Sequence, residues 1–160
     1  MALDILSEKG SQTLVDEAAA VSIFRSHCPN YFYFDTPKSE PAVVDAVMVM
    51  GGALSAVVET KCRYNLTEEK FWGKFEGTWL VTFDKLMRSR DIARALGVGL
   101  VGFLYLVDSK VLLVNRITDK DGVFPESMQK RRSPTPETIN GGLVYRLNAF
   151  IDMTSAKAMR

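Results

Sequence analysis

Short runs of apolar, mostly β-branched residues recur along this chain and are separated by turn residues. Two of them, residues 43–50 (VVDAVMVM) and 54–63 (LSAVVETKCR), flank Gly51-Gly52, so the pattern predicts a β-hairpin. Further apolar runs predict strands at residues 31–34, 98–105, 111–116 and 143–151, the last of them at a sheet edge. The tail, residues 153–160, is predicted to be frayed.

Two segments carry apolar residues at helical spacing. Residues 12–26 predict a helix capped by Thr13, and residues 78–95 predict a second helix that ends at Gly97. The first helix places one set of residues on one face: Leu14, Glu17, Val21 and Phe24. A carboxylate therefore interrupts an apolar stripe. Burying it without a partner is costly, so either a cation lies near it or its head group reaches solvent.

Charged side chains end the second strand of the hairpin. Residues two apart on a strand share a face, so Val57, Glu59 and Lys61 point the same way. Asp45 lies on the preceding strand, close enough to converge with them. Two carboxylates beside a lysine can hold Mg²⁺ against a phosphate and orient a water for attack. The competing interpretation is a surface ion pair on a strand edge, which contributes little to stability.

This arrangement resembles the active site of the restriction-endonuclease-like nucleases, the PD-(D/E)xK superfamily. In that pattern an Asp begins one strand of a hairpin and Glu-x-Lys lies on the next, as Asp45 and Glu59-Thr60-Lys61 do here. Val44 stands where the family usually has Pro. Over roughly residues 11–117 the predicted order, helix, three strands, helix and strand, is similar as well. The resemblance implies an α/β protein with a restriction-endonuclease-like core, a central mixed β-sheet flanked by helices.

The resemblance also implies roles for the motif residues. Asp45, Glu59 and the Thr60 carbonyl would hold Mg²⁺, for which Mn²⁺ can substitute. Lys61 would orient the attacking water and offset charge on the phosphate.

Two further residues match positions that such nucleases often use. A Glu from the N-terminal helix often joins the metal site, and Glu17 is the match. A polar or basic residue from the later helix often lies over the site, and Lys85 is the match. The alternative for Lys85 is that it belongs to a solvated helix face.

Composition limits the choice of function. The 160 residues suit a single domain, and the net charge of +1 gives no bulk attraction for nucleic acid, so DNA binding requires a local basic patch. The densest basic run, Lys130-Arg131-Arg132, falls in a polar, proline-bearing stretch from 118 to 140 that is predicted to be loop. It could clamp a phosphate backbone or simply be solvated. Cys28 and Cys62 lack zinc-ligand spacing, and Cys62 is expected in the core.

Together these features predict a small Mg²⁺-dependent nuclease that hydrolyses DNA phosphodiester bonds, selective for structure or ends, and able to act as a homodimer. No apolar run approaches a membrane span, so no membrane partner is expected and a cytoplasmic, reducing setting is the default. Two alternatives stay open: a non-catalytic nucleic-acid-binding or assembly protein that keeps the fold, and a metal-dependent enzyme acting on another phosphate substrate.

Overall fold

The computed structural model describes residues 7–37, 42–136 and 141–160. The elements follow one another along the chain in this order: α1 (Glu8–His27), β1 (Tyr31–Asp35), β2 (Ala46–Met50), β3 (Ala53–Arg63), α2 (Glu68–Gly73), β4 (Thr78–Thr82), α3 (Phe83–Ala95), β5 (Gly99–Leu106), β6 (Val111–Arg116), β7 (Gln129–Pro136), β8 (Leu143–Asp152) and β9 (Lys157–Met159). None of the helices within these ranges is long and apolar enough to cross a membrane.

The larger sheet has six strands in the order β1-β2-β3-β5-β6-β9. Strand β3 pairs with β5 in parallel, and the other neighbours pair antiparallel. The chain leaves β3, passes through α2, β4 and α3, and returns as β5, since parallel strands need a crossover. The predicted α/β class with a central mixed sheet is therefore confirmed.

The predicted hairpin is confirmed, with β2 and β3 joined at Gly51-Gly52. Both glycines have positive φ, 61° and 77°, as a tight turn between right-twisted strands requires. The strand before the turn begins at Ala46, later than the predicted residue 43. Asp45 therefore directly precedes a regular strand.

The two faces of the large sheet are covered by different helices. On one face, α1 packs Ala20 and Phe24 into a cluster with Val58 and Cys62. On the other, Leu86 of α3 belongs to a cluster with Val57 and Leu104. Successive residues of β3 enter the two clusters alternately, as the pleat of a strand requires. Cys62 is buried, as predicted. The face of Val57, Glu59 and Lys61 is therefore the α3 face.

A second sheet of three strands, in the order β4-β8-β7, corrects two predictions, one on the bounds of a helix and one on an edge strand. The helix predicted over residues 78–95 begins only at Phe83, and β4 precedes it. Trp79 and Val81 alternate with less buried neighbours, a period of two that favours a strand. Strand β8 is central in this sheet, between β4 and β7, and is not an edge strand.

The predicted loop from 118 to 140 was wrong in part, because it contains β7; residues 137–140 of it lie outside the described ranges. Strand β7 lies at a sheet edge, where Pro134 and Pro136 are tolerated because one side has no ladder to complete. The basic run Lys130-Arg131-Arg132 therefore lies on a strand.

Both ends of the described chain are more ordered than the sequence predicted. Helix α1 begins at Glu8 and is capped by Ser7, whose Oγ accepts from the Gly10 N–H at 3.0 Å, and not by Thr13. The predicted frayed tail was wrong, since β9 pairs with β6 and Met159 is buried. Burial of an apolar side chain and a strand ladder hold this tail in place.

Candidate active site

The β2–β3 hairpin brings two carboxylates to the same end of the sheet. Ala46 pairs with Val58, and the Asp45 N–H donates to the Val58 carbonyl at 3.2 Å, so Asp45 lies beside the segment that carries Glu59. The Asp45 carboxylate also bonds across the strands, since its Oδ2 accepts from the Thr60 backbone N–H at 2.7 Å. This bond fixes Asp45 beside the Glu-x-Lys segment.

Glu59 is buried at the centre of a polar cluster, with 2% of its side chain exposed. The Lys85 Nζ lies 2.5 Å from its Oε1, and the Ser89 Oγ donates to its Oε2 at 3.4 Å. Lys85 and Ser89 are four residues apart on α3, so one helical face delivers both. The structure thus brings Lys85 directly to Glu59.

The pKa of Glu59 is raised to about 7. Burial is the main cause, because it disfavours the charged form, and the negative charge of Asp45 adds to it. Lys85 and, less strongly, Lys61 oppose the rise. Glu59 is therefore poised to gain or lose a proton near neutral pH, the property expected of groups at functional sites.

The two lysines of the site differ in their electrostatics. Burial lowers the pKa of Lys85, but attraction to Glu59 and Asp45 outweighs it and the net shift is upward. Lys61 is exposed at the surface, yet desolvation by the surrounding protein and repulsion from Arg63 and Lys85 lower its pKa. Lys85 is therefore a firmly held counter-charge, whereas Lys61 is the lysine that loses its proton more easily.

Thr60 connects the two faces of the sheet. Its side chain points to the α1 face, where its Oγ1 lies 3.4 Å from the Tyr33 hydroxyl. Its N–H is turned to Asp45, and in an extended strand the carbonyl of the same residue points to the same neighbouring strand. The Thr60 carbonyl is thus directed to the side on which Asp45 lies.

Glu17 lies on α1, which covers the opposite face of the sheet, and is half-buried there. The pKa of Cys62 is raised to about 12, by burial first and by the charge of Glu17 second. The same carboxylate contributes to the upward pKa shift of Lys85, on the other face. Glu17 is therefore close enough to affect the charges of the site, although its helix packs on the opposite face of the sheet.

The donors at the hairpin end fit a hard divalent cation. In the part of the chain that the structure describes, no group of three or more His, Cys, Asp or Glu side chains could hold a metal. Asp45 and Glu59 supply two carboxylates, and the Thr60 carbonyl is a third oxygen. Mg²⁺ is commonly held by one or two carboxylates and keeps several waters, so this donor set suits it better than zinc.

Sequence reasoning missed Ser89. This residue is fully buried and lies within hydrogen-bond distance of the Val43 and Lys85 carbonyls as well as Glu59. Its signal was available in the sequence, because a small polar residue stands between the buried Leu86 and Ala93 on the helix face that carries Lys85.

The side chains of the basic run Lys130-Arg131-Arg132 point to different sides of β7. The Lys130 Nζ lies 5.4 Å from the Phe83 ring, and the Arg131 guanidinium lies 4.1 Å from the Phe150 ring.

Neither a protein-family model nor a curated protein sequence matches this chain.

Proposed function

We propose that this protein is a Mg²⁺-dependent nuclease that hydrolyses phosphodiester bonds in DNA and has a restriction-endonuclease-like core. The observation that carries the proposal is the concentration of charge at one hairpin end. The Asp45 carboxylate accepts from the Thr60 N–H next to Glu59, Lys61 follows Glu59 by two residues on the same strand face, and Lys85 reaches Glu59 from α3. A structural ion pair needs one acid and one base, whereas a site that handles a metal-bound phosphate needs this excess of both.

The order of elements supports the same proposal. Helix α1 precedes the antiparallel strands β1, β2 and β3, and the crossover through α3 leads to β5, parallel to β3. This agrees with the helix, three-strand, helix and strand order of the superfamily that the motif resembles. The additional strand β4 and the second sheet extend that pattern without interrupting the hairpin.

In this proposal each residue has a separate task. Asp45, Glu59 and the Thr60 carbonyl hold Mg²⁺ or Mn²⁺, which when bound stabilises negative charge on the scissile phosphate. Lys61, with its lowered pKa, holds the attacking water and lies against the phosphate. Lys85 favours the charged form of Glu59, the form that a cation requires.

Glu17 is proposed only for an outer role, through water, because its helix covers the opposite face. Its negative charge would attract a second cation or help to orient hydrated Mg²⁺.

A non-catalytic DNA-binding protein is the second candidate, and one observation favours it. Lys85 already offsets the charge of the buried Glu59, so the pair is satisfied without a metal ion. Such a pair could remain as a structural feature after catalysis was lost. Metal dependence of DNA cleavage separates the two candidates.

The test is incubation of the purified protein with supercoiled, linear and branched DNA in Mg²⁺, Mn²⁺ or EDTA. We expect cleavage with either metal and none in EDTA. Lys61→Ala should lower the rate by roughly 10²–10³-fold while DNA binding persists, because it removes the ammonium beside the reacting phosphate. The matched control is Lys120→Ala, an exposed lysine in a turn, which should cleave normally.

Two outcomes would count against the proposal. Undiminished cleavage in EDTA would show that no metal takes part. Binding of DNA by the wild-type protein without cleavage of any substrate in either metal would favour the non-catalytic candidate.

A further inference from the structure

A groove of about 530 Å³ lies between the end of β3, α2 and the outer side of the second sheet. Four basic residues line it: Arg63, Lys70, Lys74 and Arg131. Glu76 is the one acidic residue in its lining among the residues that the structure describes. The chain as a whole is close to neutral, so this surface concentrates positive charge that the bulk composition hides.

The groove begins four residues along β3 from Glu59. Glu59, Lys61 and Arg63 alternate along one face of β3, and Arg63 enters the lining of the groove. At about 3.3 Å per residue, Glu59 and Arg63 are ~13 Å apart, roughly the rise of four stacked nucleotides. Arg63 is held in place, because its Nη2 donates to the Leu80 carbonyl on β4 at 2.9 Å. A strand lying in the groove would therefore lead to the carboxylates.

Aromatic rings stand among the cations. Phe75 lines the groove and is 44% exposed. The Lys74 Nζ lies 5.7 Å from the Phe75 ring, and Arg131 stacks over Phe150 at 4.1 Å. The cations are attracted to the ring faces, and an unstacked base can stack on an exposed ring of this kind while its phosphate meets the neighbouring cation.

We propose that this groove binds unpaired, single-stranded DNA and leads it to the active site. The nucleic acid is inferred from two complementary features: cations that follow the phosphates and rings on which bases stack. Duplex DNA fits the second feature poorly, because its bases are already stacked inside the helix and offer no free faces. The place of the groove in a cleavage reaction rests on the proposed function, whereas the binding itself does not.

The experiment measures binding in EDTA, so that no cleavage takes part. Fluorescence anisotropy with a labelled twelve-nucleotide deoxythymidine strand is compared with a blunt duplex of the same length. We expect tighter binding of the single strand. Phe75→Ala should weaken it by roughly 5- to 100-fold, since one stacking ring is lost. Phe75 is partly exposed, so its truncation should leave the fold intact, which circular dichroism checks.

Arg131→Ala tests the cations independently. It should weaken binding and reduce the slope of log affinity against log salt by roughly 0.7, the loss of one phosphate contact on a single strand. Matched controls exist for both variants. Arg132→Ala removes the neighbouring arginine, which points to the other side of β7, and Phe32→Ala removes an exposed ring on β1 outside the groove. Both controls should bind within about twofold of wild type.

Three results would overturn the inference: preference for the duplex, wild-type binding by both Phe75→Ala and Arg131→Ala, or equal competition by polyglutamate, which has the charge but no bases. Failure of the proposed function is a different result. A protein that binds the single strand through Phe75 and Arg131 yet never cleaves DNA would support the groove and contradict the nuclease.

Discussion

Among the residues that the structure describes, one carboxylate is buried on each face of the large sheet, and the two have very different neighbours. Glu59 lies under α3, and Asp16 of α1 lies over the opposite face with 8% of it exposed. The Asp16 Oδ2 accepts from the Tyr64 hydroxyl at 2.7 Å and from the Gln12 amide at 3.3 Å. These are neutral donors. Burial and the bond to Asp16 raise the pKa of Tyr64 to about 12, so the hydroxyl stays a donor.

Glu59 has a charged environment instead. An ammonium, a hydroxyl and a second carboxylate surround it. Burial first, and then the charge of Asp45, raises its pKa to about 7, while Lys85 opposes the rise. A buried carboxylate that accepts only from neutral donors has its hydrogen bonds satisfied and is not set up to react. A buried carboxylate between a cation and another carboxylate can instead exchange its proton for a cation. Burial of an acid is therefore weak evidence for a reactive site, and the charge of its neighbours is stronger evidence.

The largest effect expected from this comparison is on activity. Glu59→Gln and Asp16→Asn each remove one charge and keep the shape. Glu59→Gln should lower Mg²⁺-dependent DNA cleavage by roughly 10²–10³-fold or more, because the ion loses a ligand. Asp16→Asn should cleave within a few-fold of wild type and cost about 1 kcal/mol of stability. Cleavage rates and urea unfolding measure the two quantities.

Equal loss of cleavage in both variants would contradict the different roles given to the buried carboxylates on the two faces. Full activity in Glu59→Gln would remove Glu59 from the site altogether.

The second effect is on stability as a function of pH. The pKa of Glu59 is about 7 in the folded protein and 4.5 for the ordinary side chain, so the folded state binds the proton more tightly. Stability from this group is fully present below pH ~4.5 and is lost as the pH rises through ~7. Wild type should therefore lose about 3 kcal/mol relative to Glu59→Gln over that window, measured by urea unfolding.

Repeating the unfolding measurement with Mg²⁺ tests whether the charged Glu59 binds the ion. Because the ion binds the charged carboxylate, it should restore stability to wild type at pH 8 and leave Glu59→Gln nearly unchanged. A wild-type curve parallel to that of Glu59→Gln across the window would show that Glu59 keeps an ordinary pKa.

The smallest effect concerns Lys85. Lys85→Met removes the ammonium beside Glu59, so the pKa of Glu59 should rise above about 7 by roughly one unit. Mg²⁺ binding, followed by calorimetry across pH, should then reach half of its maximum at a higher pH. Arg88→Met, an exposed cation on the same helix, is the control and should leave the midpoint in place. An unmoved midpoint in Lys85→Met would mean that the ion pair does not tune Glu59.

The local residue pattern was enough to predict the hairpin, the shared face of Glu59 and Lys61, and the α/β class. A period of two and a Gly-Gly turn are properties of neighbouring residues, so they can be read before any long-range contact is known. The same reasoning failed where partners are distant. Strand β4 lies where the pattern predicts the start of a helix. The apolar residues from 78 to 87 fit both periods, and only the pairing with β8 selects the strand.

Distance in sequence also explains what was missed around the site and the tail. Ser89 contacts Glu59 from 30 residues away in the chain, and the β6–β9 pairing that orders the tail joins residues 43 to 47 positions apart. The groove draws its cations from β3, α2 and β7, three elements whose proximity no local pattern encodes. Short-range periodicity thus predicted the helices and strands and the part of the site formed by Glu59 and Lys61. The packing of α3 and the second sheet against the large sheet determined which charged side chains lie beside Glu59.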